Sequence, residues 1–269
     1  MARLDKNVVN FTGKLGELSF YRMSGYDQVI VRHKGGPSSA RVKTDRKFVR
    51  TRENGMEFGG GSTAGKHVRQ LLRVQTTGSQ SLVHADINAC MRSLVPLDTT
   101  SARGERHILI SKDRQALEGL PLTTGVFFDA LVRATLTCEP SRETCGARLD
   151  IPALTPGGNL RLTSGPPMYR IVSTLIYVPD FFYAGPKEKY QPAPGHFTNG
   201  YVVAETPWYP AMEGSPAITL DLQLNMPTPP PDEHYSLLVA VTLHQGDVYR
   251  GMEVRKDEKA GAGKVLKVF

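Results

Sequence analysis

The sequence predicts an α+β protein with an N-terminal hairpin, short basic helices and a C-terminal antiparallel β-sandwich of jelly-roll-like form. The first supporting observation is a change of hydrophobic period near Gly125. Before it, apolar residues recur at helical spacing, and after it short apolar runs alternate with Pro and Gly clusters. The second is the length, because 269 residues suffice for one large or two ordinary domains. We expect an arm and linker over 1–44, a helical basic region over 45–117 and a sandwich domain over 118–269.

The arm opens with two strand-like runs, residues 19–23 and 28–32, on either side of a turn-like segment, 24–27. This pattern predicts a β-hairpin. Because a lone hairpin is only marginally stable in water, we expect it to join a sheet in its own chain or in a neighbour's. Its candidate subunit-docking side chains are Phe20, Tyr21, Val29 and Val31.

Helix signals follow the arm. Asp45 is a candidate N-cap for one helix, and Ser62 or Thr63 is a candidate N-cap for a second. A third helix ends at Pro96, since proline cannot continue a helix. The Gly-rich stretch between the first two is interpreted as a joint. The predicted helices span 46–58, 64–74 and 81–95.

The second half consists of strand-like runs. Leu220, Leu222 and Leu224 alternate with polar residues, which predicts a half-buried strand. Residues 236–243 are nearly all apolar, which predicts a central strand covered on both faces. The C-terminal run 264–269 is expected to pair with its own chain or with a neighbour. The predicted strands span 126–137, 147–151, 159–163, 169–178, 201–205, 218–224, 235–243 and 247–254, with the last two paired through a turn at 244–246.

Positive charge is concentrated at the front of the chain. The net charge is +7, and residues 1–114 hold 20 Lys and Arg against 10 Asp and Glu, so the remainder carries −3. This asymmetry favours a nucleic acid or an acidic protein surface as partner, or else a solvated basic face that aids solubility. The candidate docking cations are Arg46, Lys47, Arg50 and Arg52.

No catalytic motif stands out. Residues 60–67 nearly match a phosphate-binding loop, but His67 stands where Ser or Thr would hold magnesium and no strand precedes the loop. A Gly-x-Ser-x-Gly motif is absent. Of the seven histidines, no two lie three to five residues apart, as zinc ligands often do. We expect no metal, no cofactor and no enzymatic activity.

Three cysteines do not make a disulfide framework. Cys138 and Cys145 flank a turn-like segment and could face each other across a hairpin end. The N-terminal residues do not form a secretory signal, and no run approaches the ~20 apolar residues of a membrane span. We expect cytoplasmic synthesis, free thiols, no membrane span, and residence in an assembled or released particle.

Aromatic residues interleave with prolines over 177–209. Such a segment could form a rigid surface for a protein or a carbohydrate, or pack as loops over one end of the sandwich. The candidate ligand surface is Tyr190, Trp208 and Tyr209.

Several blocks in the first 110 residues resemble a family of uncharacterised bacterial proteins that share this front pattern and vary more behind it. The resemblance implies no activity and assigns no functional residue. The blocks are 18–23 (LSFYRM), 31–36 (VRHKGG), 50–55 (RTRENG) with Glu57 and Phe58, 64–66 (AGK) and 98–106 (DTTSARGER).

These observations favour a non-enzymatic structural subunit that self-associates into a filament or particle through its N-terminal arm. One alternative is a nucleic-acid-binding protein that uses the basic N-terminal half. Another is a ligand- or carbohydrate-binding β-sandwich. The sequence leaves all three open.

Overall fold

The computed structural model describes residues 2–4, 11–23, 28–33, 35–72, 84–123, 125–162, 165–194, 200–225, 233–249 and 253–269. The chain divides into two compact units, an N-terminal unit, Met1–Arg52, and a C-terminal unit, Glu53–Phe269. Helices and several antiparallel sheets are both present, which confirms the α+β class. The three predicted parts, 1–44, 45–117 and 118–269, stay predictions.

The N-terminal unit contains a four-stranded antiparallel sheet. Its strands are β1 Ala2–Leu4, β2 Gly13–Leu15, β3 Leu18–Tyr21 and β4 Val29–His33. Because their order is β1-β4-β3-β2, strands β3 and β4 each have a neighbour on both sides. Phe20, Val29 and Ile30 are buried, and the Phe11 ring lies 4.5 Å from the Phe20 ring.

Two short helices and one long helix follow. Helix α1 spans Ser39–Thr44, a 3₁₀ turn spans Arg46–Phe48, and helix α2 spans Val49–Leu72. Asp45 accepts a hydrogen bond from the Lys47 backbone N–H at 2.9 Å and so caps the 3₁₀ turn rather than α2. The N-cap signal was thus located correctly, but it belongs to a shorter element.

The prediction of two helices separated by a Gly-rich joint is wrong, because α2 continues through Gly59, Gly60 and Gly61. The hydroxyls of Ser62 and Thr63 donate to the backbone carbonyls four residues earlier instead of capping a new helix. Residues 60–67, which nearly match a phosphate-binding loop in sequence, lie inside α2 and do not form such a loop, since helical N–H groups bond within the helix.

Close packing explains why glycine is tolerated within α2. A Cβ added at Gly60 would lie 2.6 Å from the buried ring of Tyr190, and one at Gly61 would lie 2.8 Å from Arg92. Only a residue without a side chain lets the helix approach so closely. Tertiary contact therefore overrides the low helix propensity of glycine.

Helix α3 spans His84–Leu94, and a 3₁₀ turn, Val95–Leu97, contains Pro96. Ile87, Met91 and Leu94 are buried along one stripe of α3, whereas Ala85 and Ala89 are exposed. Residues 81–83 of the predicted helix lie outside the described residues.

Three sheets and one short α-helix complete the described part of the C-terminal unit. The bounds are α4 Phe128–Leu131, β5 Thr137–Ser141, β6 Gly146–Ile151, β7 Met168–Pro179, β8 Phe181–Tyr183, β9 Tyr190–Pro192, β10 Tyr201–Glu205, β11 Tyr209–Pro210, β12 Ile218–Gln223, β13 Tyr235–Tyr249 and β14 Glu253–Val268. The central sheet has the order β10-β7-β13-β14, with β11 also on β7. A second sheet has the order β12-β6-β5, and β8 pairs with β9.

The central sheet is covered on both faces by other parts of the C-terminal unit. Along β7, Ile176 and Val178 share an apolar cluster with side chains of α2 and α3. The alternate residues Leu175 and Tyr177 share another cluster with the three-stranded sheet. Strand β13 is buried from Tyr235 to Gly246, as expected for a central strand. The sheets thus pack through apolar faces, while the jelly-roll-like connectivity stays a prediction.

Two strand predictions are wrong. Residues 126–137 contain helix α4 and only the first residue of β5, because Phe128 turns into the core while Phe127 stays 66% exposed. The Val132 backbone N–H donates to the Phe128 carbonyl, which closes this helical turn. Of the predicted strand 159–163, residues 159–162 form only bridges through Leu160, and Thr163 lies outside the described residues.

The last hairpin is longer than predicted. Strand β13 continues through residues 244–246, where the register with β14 shifts, so the expected turn there is absent. Strand β14 then runs to Val268 and pairs with β13. Of the two pairings considered for the C-terminal run, the structure contains the one within the chain.

Candidate docking surface

The basic segment, defined as residues 41–52, is fixed by two of its own arginines. The Arg52 guanidinium donates to the backbone carbonyls of Val42 and Asp45 at 2.8 and 3.0 Å. Arg41 pairs with the Asp45 carboxylate at 3.1 Å. Arg52 thus ties the last turn of α1 to the residue that follows it, and it serves the fold of the segment rather than its outer surface.

Other cations of the basic segment point to solvent. Lys43, Arg46, Lys47 and Arg50 are exposed. Within the described part of the chain, the first three make no ion pair with a carboxylate. Of the four predicted docking cations, Arg46, Lys47 and Arg50 are therefore presented outward and Arg52 is used internally.

The predicted apolar docking residues are less accessible. Phe20 and Val29 are buried, and Tyr21 and Val31 are half-buried. Arg32 lies over the Tyr21 ring, 5.5 Å from its centroid. Since β3 and β4 are interior strands, another strand could be added there only if β1 or β2 left the sheet.

One edge strand of this sheet is β2, whose three residues are exposed and which sequence reasoning did not select. Its Leu15 is 63% exposed, and the nearby Phe11 is 42% exposed. An edge strand presents unpaired backbone N–H and C=O groups to a further strand. The sequence feature that could have identified this strand is the placement of Leu15 between Gly13 and Gly16, because glycines on both sides mark a short strand rather than a core position.

Two of the sequence blocks that carry the family resemblance meet in the C-terminal unit. Arg106 donates to both carboxylate oxygens of Glu57, at 2.7 and 2.8 Å. The Gly104 backbone N–H donates to the same carboxylate at 2.8 Å. These hydrogen bonds, led by that from Arg106, hold the pKa of Glu57 below its ordinary value. These hydrogen bonds thus fasten the two blocks to each other.

The loop between Asp98 and His107 is closed by a second buried carboxylate. The Asp98 side chain, 2% exposed, accepts hydrogen bonds from the backbone N–H groups of Thr100, Ser101 and His107. Burial, the largest single influence, favours the neutral acid. The hydrogen bonds from His107, Ser101 and Thr100 together outweigh it and hold the pKa of Asp98 well below its usual range.

A serine, an aspartate and a histidine also meet, but in an order unsuited to nucleophilic catalysis. The Ser111 hydroxyl donates to the Asp180 carboxylate at 2.5 Å, and His234 Nδ1 lies 3.8 Å from that carboxylate. In a hydrolytic triad the imidazole stands between the hydroxyl and the carboxylate. Here the carboxylate is in the middle, and burial raises its pKa. The group anchors the turn at Ser111.

The three predicted ligand-surface aromatics do not lie on one exposed platform. Tyr190 is buried beneath α2, and its hydroxyl donates to the Arg106 carbonyl at 2.8 Å. Trp208 is half-buried under the Arg170 guanidinium, which lies 4.7 Å from its ring centroid. Tyr209 is half-buried, and its ring centroid lies 6.0 Å from that of Tyr169. A ligand role for these residues stays a prediction.

The cysteines are free thiols in the structure. Cys138 lies opposite Leu149 in the β5–β6 pairing, whereas Cys145 lies in the connecting turn, so the two do not face each other. Burial raises the pKa of Cys90 and of Cys138 to about 11, which disfavours the reactive thiolate. Within the described ranges, no three His, Cys, Asp or Glu side chains gather where a metal could bind.

None of the helices in the described ranges combines the length and the apolar character needed to cross a bilayer. Comparison with known proteins found no matching family model, no matching curated protein and no matching solved structure.

Proposed function

We propose that the chain is a non-enzymatic structural subunit that self-associates through its N-terminal unit into a filament or particle, with the C-terminal unit as a β-sandwich-like body. One observation carries the proposal: the N-terminal unit combines an accessible sheet edge with most of the excess positive charge. Residues 1–52 hold 12 Lys and Arg against 4 Asp and Glu, a net charge of +8, whereas residues 53–269 hold 21 against 22, a net charge of −1.

The sheet edge supplies the apolar and hydrogen-bonding part of the contact. Strand β2 is only three residues long, and a strand from a second copy placed beside it would continue the sheet and cover Leu15. Covering an exposed leucine side chain is worth about 1.5–3 kcal/mol. Backbone hydrogen bonds would fix the direction of the added strand.

The basic segment supplies orientation. Arg46 and Lys47 stand on a turn that is held by Asp45 and Arg52, so their charges are presented with little loss of backbone freedom on binding. Complementary charge accelerates encounter and selects the partner surface.

The polar clusters of the C-terminal unit also support a structural role. The carboxylates of Glu57, Asp98 and Asp180 are occupied by hydrogen bonds that close loops. Groups used in this way stabilise the fold and are poorly available to a substrate.

The experiment compares the self-association of the wild-type chain with that of two variants by sedimentation velocity. Leu15→Glu places a charge on the accessible edge, and Met212→Glu places the same charge at a side chain that is 87% exposed in the C-terminal unit. We expect association at least about tenfold weaker for Leu15→Glu, since charged side chains blunt edge pairing. Met212→Glu is expected to leave it unchanged. A monomeric wild type, or equal behaviour of both variants, would contradict the proposal.

The second candidate function is nucleic-acid binding, which is favoured by the +8 charge within residues 1–52. It predicts that a fluorescent oligonucleotide binds with an affinity that falls steeply as salt rises, and that Arg46→Ala reduces the slope by about one. A flat salt response would eliminate this candidate.

A further inference from the structure

The outer face of the β5–β6–β12 sheet carries an open groove of about 480 Å³. The groove lies on the solvent side of the three strands, away from the apolar clusters that join this sheet to the central one. Its polar lining consists of Glu139, Ser141, Thr144, Arg148, Asp221 and Gln223.

Two carboxylates in the groove, Glu139 and Asp221, make no ion pair with a cation among the residues that the structure describes. The strand register places Glu139 and Asp221 on either side of Arg148 in one cross-strand row. Arg148, however, lies 3.6 Å from Asp150 on its own strand. In the described part of the chain, no cation forms an ion pair with Glu139 or Asp221. The groove therefore exposes two carboxylates suited to a cationic partner.

One wall of the groove is held by a side-chain hydrogen bond. The Gln223 side chain donates to the Thr144 carbonyl, and a Cβ added at Gly146 would lie 2.7 Å from the Gln223 amide oxygen. The glycine thus allows Gln223 to lie flat over the strand. A wall that is already formed loses little conformational freedom when a partner binds.

The basic segment provides the matching chemistry. Lys43, Arg46 and Lys47 are exposed cations on a fixed turn and make no ion pair within the described chain. They and the groove carboxylates are opposite charges left without partners on two units with net charges of +8 and −1. Because the two patches differ, docking one on the other between copies is a heterologous contact, which produces rings or open helical filaments.

Building on the function proposed above, we propose that the groove of one copy receives the basic segment of a second copy, with Arg46 and Lys47 against Glu139 and Asp221. Growth is then head to tail, since the copy at one end of the assembly presents an unused groove and the copy at the other end presents an unused basic segment. The partner is a second copy of this chain rather than an unrelated acidic protein.

The test uses full-length charge-reversal variants and sedimentation velocity. The groove variant is Glu139→Lys with Asp221→Lys, and the segment variant is Arg46→Glu with Lys47→Glu. The control variant is Glu188→Lys with Glu213→Lys, which reverses two other exposed carboxylates and gives the same net charge as the groove variant. We expect the groove and segment variants each to associate at least tenfold more weakly than the control.

The decisive experiment mixes the groove variant with the segment variant. The intact basic segment of the groove variant fits the intact groove of the segment variant, and the reversed segment fits the reversed groove, so an equimolar mixture is expected to regain association with the two variants alternating. A chain that carries all four reversals is expected to regain association, because its charges are complementary again.

The outcomes separate this inference from the function on which it rests. If the segment variant loses association while the groove variant matches the control, the groove assignment is overturned and self-association through the N-terminal unit stands. If neither variant differs from a self-associating control, or if all the proteins are monomers, both fail. Urea unfolding of each variant establishes that it is folded, and Glu139→Gln with Asp221→Asn replaces any groove variant that is not.

Discussion

The two units use charge in opposite ways. In the C-terminal unit, the carboxylates of Glu57 and Asp98 are buried and surrounded by hydrogen-bond donors. In the N-terminal unit, Arg46 and Lys47 are exposed and make no ion pair within the described chain. Buried, hydrogen-bonded charges hold loops together, whereas exposed ones contribute little to stability. The difference suggests that the first set stabilises the fold and the second serves association.

The largest expected effect is at the Glu57–Arg106 pair. Glu57→Ala leaves the partly buried Arg106 and the Gly104 N–H without their acceptor, so we expect the free energy of unfolding to fall by about 3 kcal/mol. Urea unfolding monitored by circular dichroism measures this change. Asp129→Ala is the control, because its pair with Lys264 involves a carboxylate side chain that is 69% exposed and should contribute no more than about 1 kcal/mol. Equal losses in both variants would remove the distinction between buried and exposed charge.

The next effect concerns Asp98 and acid. Asp98→Asn should lower the free energy of unfolding by about 2 kcal/mol at neutral pH, because hydrogen bonds to a charged acceptor are lost. The folded-state pKa of Asp98 is depressed, so its contribution is complete above the ordinary carboxyl pKa of 3.8 and is lost as the pH falls below it. Urea midpoints measured down through this range should therefore converge for the wild type and the variant. A gap that stays constant with pH would refute this assignment, and the exposed Asp86→Asn is the control.

A smaller effect on the free energy of unfolding is expected within α2, and it has opposite signs at two adjacent glycines. Gly60→Ala pushes a methyl group into the Tyr190 ring and should cost about 1–2 kcal/mol after the gain in helix propensity. Nothing lies within 4 Å of a Cβ added at Gly59, so Gly59→Ala should stabilise the protein by about 0.5–1 kcal/mol. Thermal or urea unfolding of the pair measures the sign. If alanine raised the free energy of unfolding at both positions, helix propensity rather than packing would decide the stability of this region.

The smallest effect tests the basic segment. Arg52→Gln removes the donor that satisfies the Val42 and Asp45 carbonyls, and we expect about 1 kcal/mol of local destabilisation. Amide hydrogen exchange over residues 39–48 should then be about fivefold faster, since exchange reports local opening. Arg46→Gln, an exposed cation on the same segment, should leave exchange there unchanged. Faster exchange in both variants would mean that Arg46 also supports the local fold.

The sequence predicted those features that depend on local periodicity. Leu220, Leu222 and Leu224 are buried as their alternation indicates, and the apolar run beginning at Ser236 lies in a central strand. The continuity of α2 was missed because it depends on the ring of Tyr190, which lies 130 positions beyond Gly60 in the chain. No local pattern conveys such a contact.

The candidate docking surface was predicted only in part, because it too depends on contacts that no local sequence pattern conveys. A run of exposed cations such as Arg46 and Lys47 is visible in composition, but the internal role of Arg52 depends on where the carbonyls of α1 end. Likewise, the pairing of β1 with β4, which makes β3 and β4 interior, involves residues far apart in sequence. Gly13 and Gly16 mark a short strand at Leu15 in the sequence, but its position at an edge of the sheet follows from the folded arrangement.

The most direct test of the central claim is the sedimentation coefficient of the full chain as its concentration is raised, with and without Arg46→Glu and Lys47→Glu. We expect the wild-type chain to form progressively larger species, while the variant stays at the size of one copy with an unchanged urea midpoint. A wild-type chain that sediments as a single copy at every concentration would contradict it.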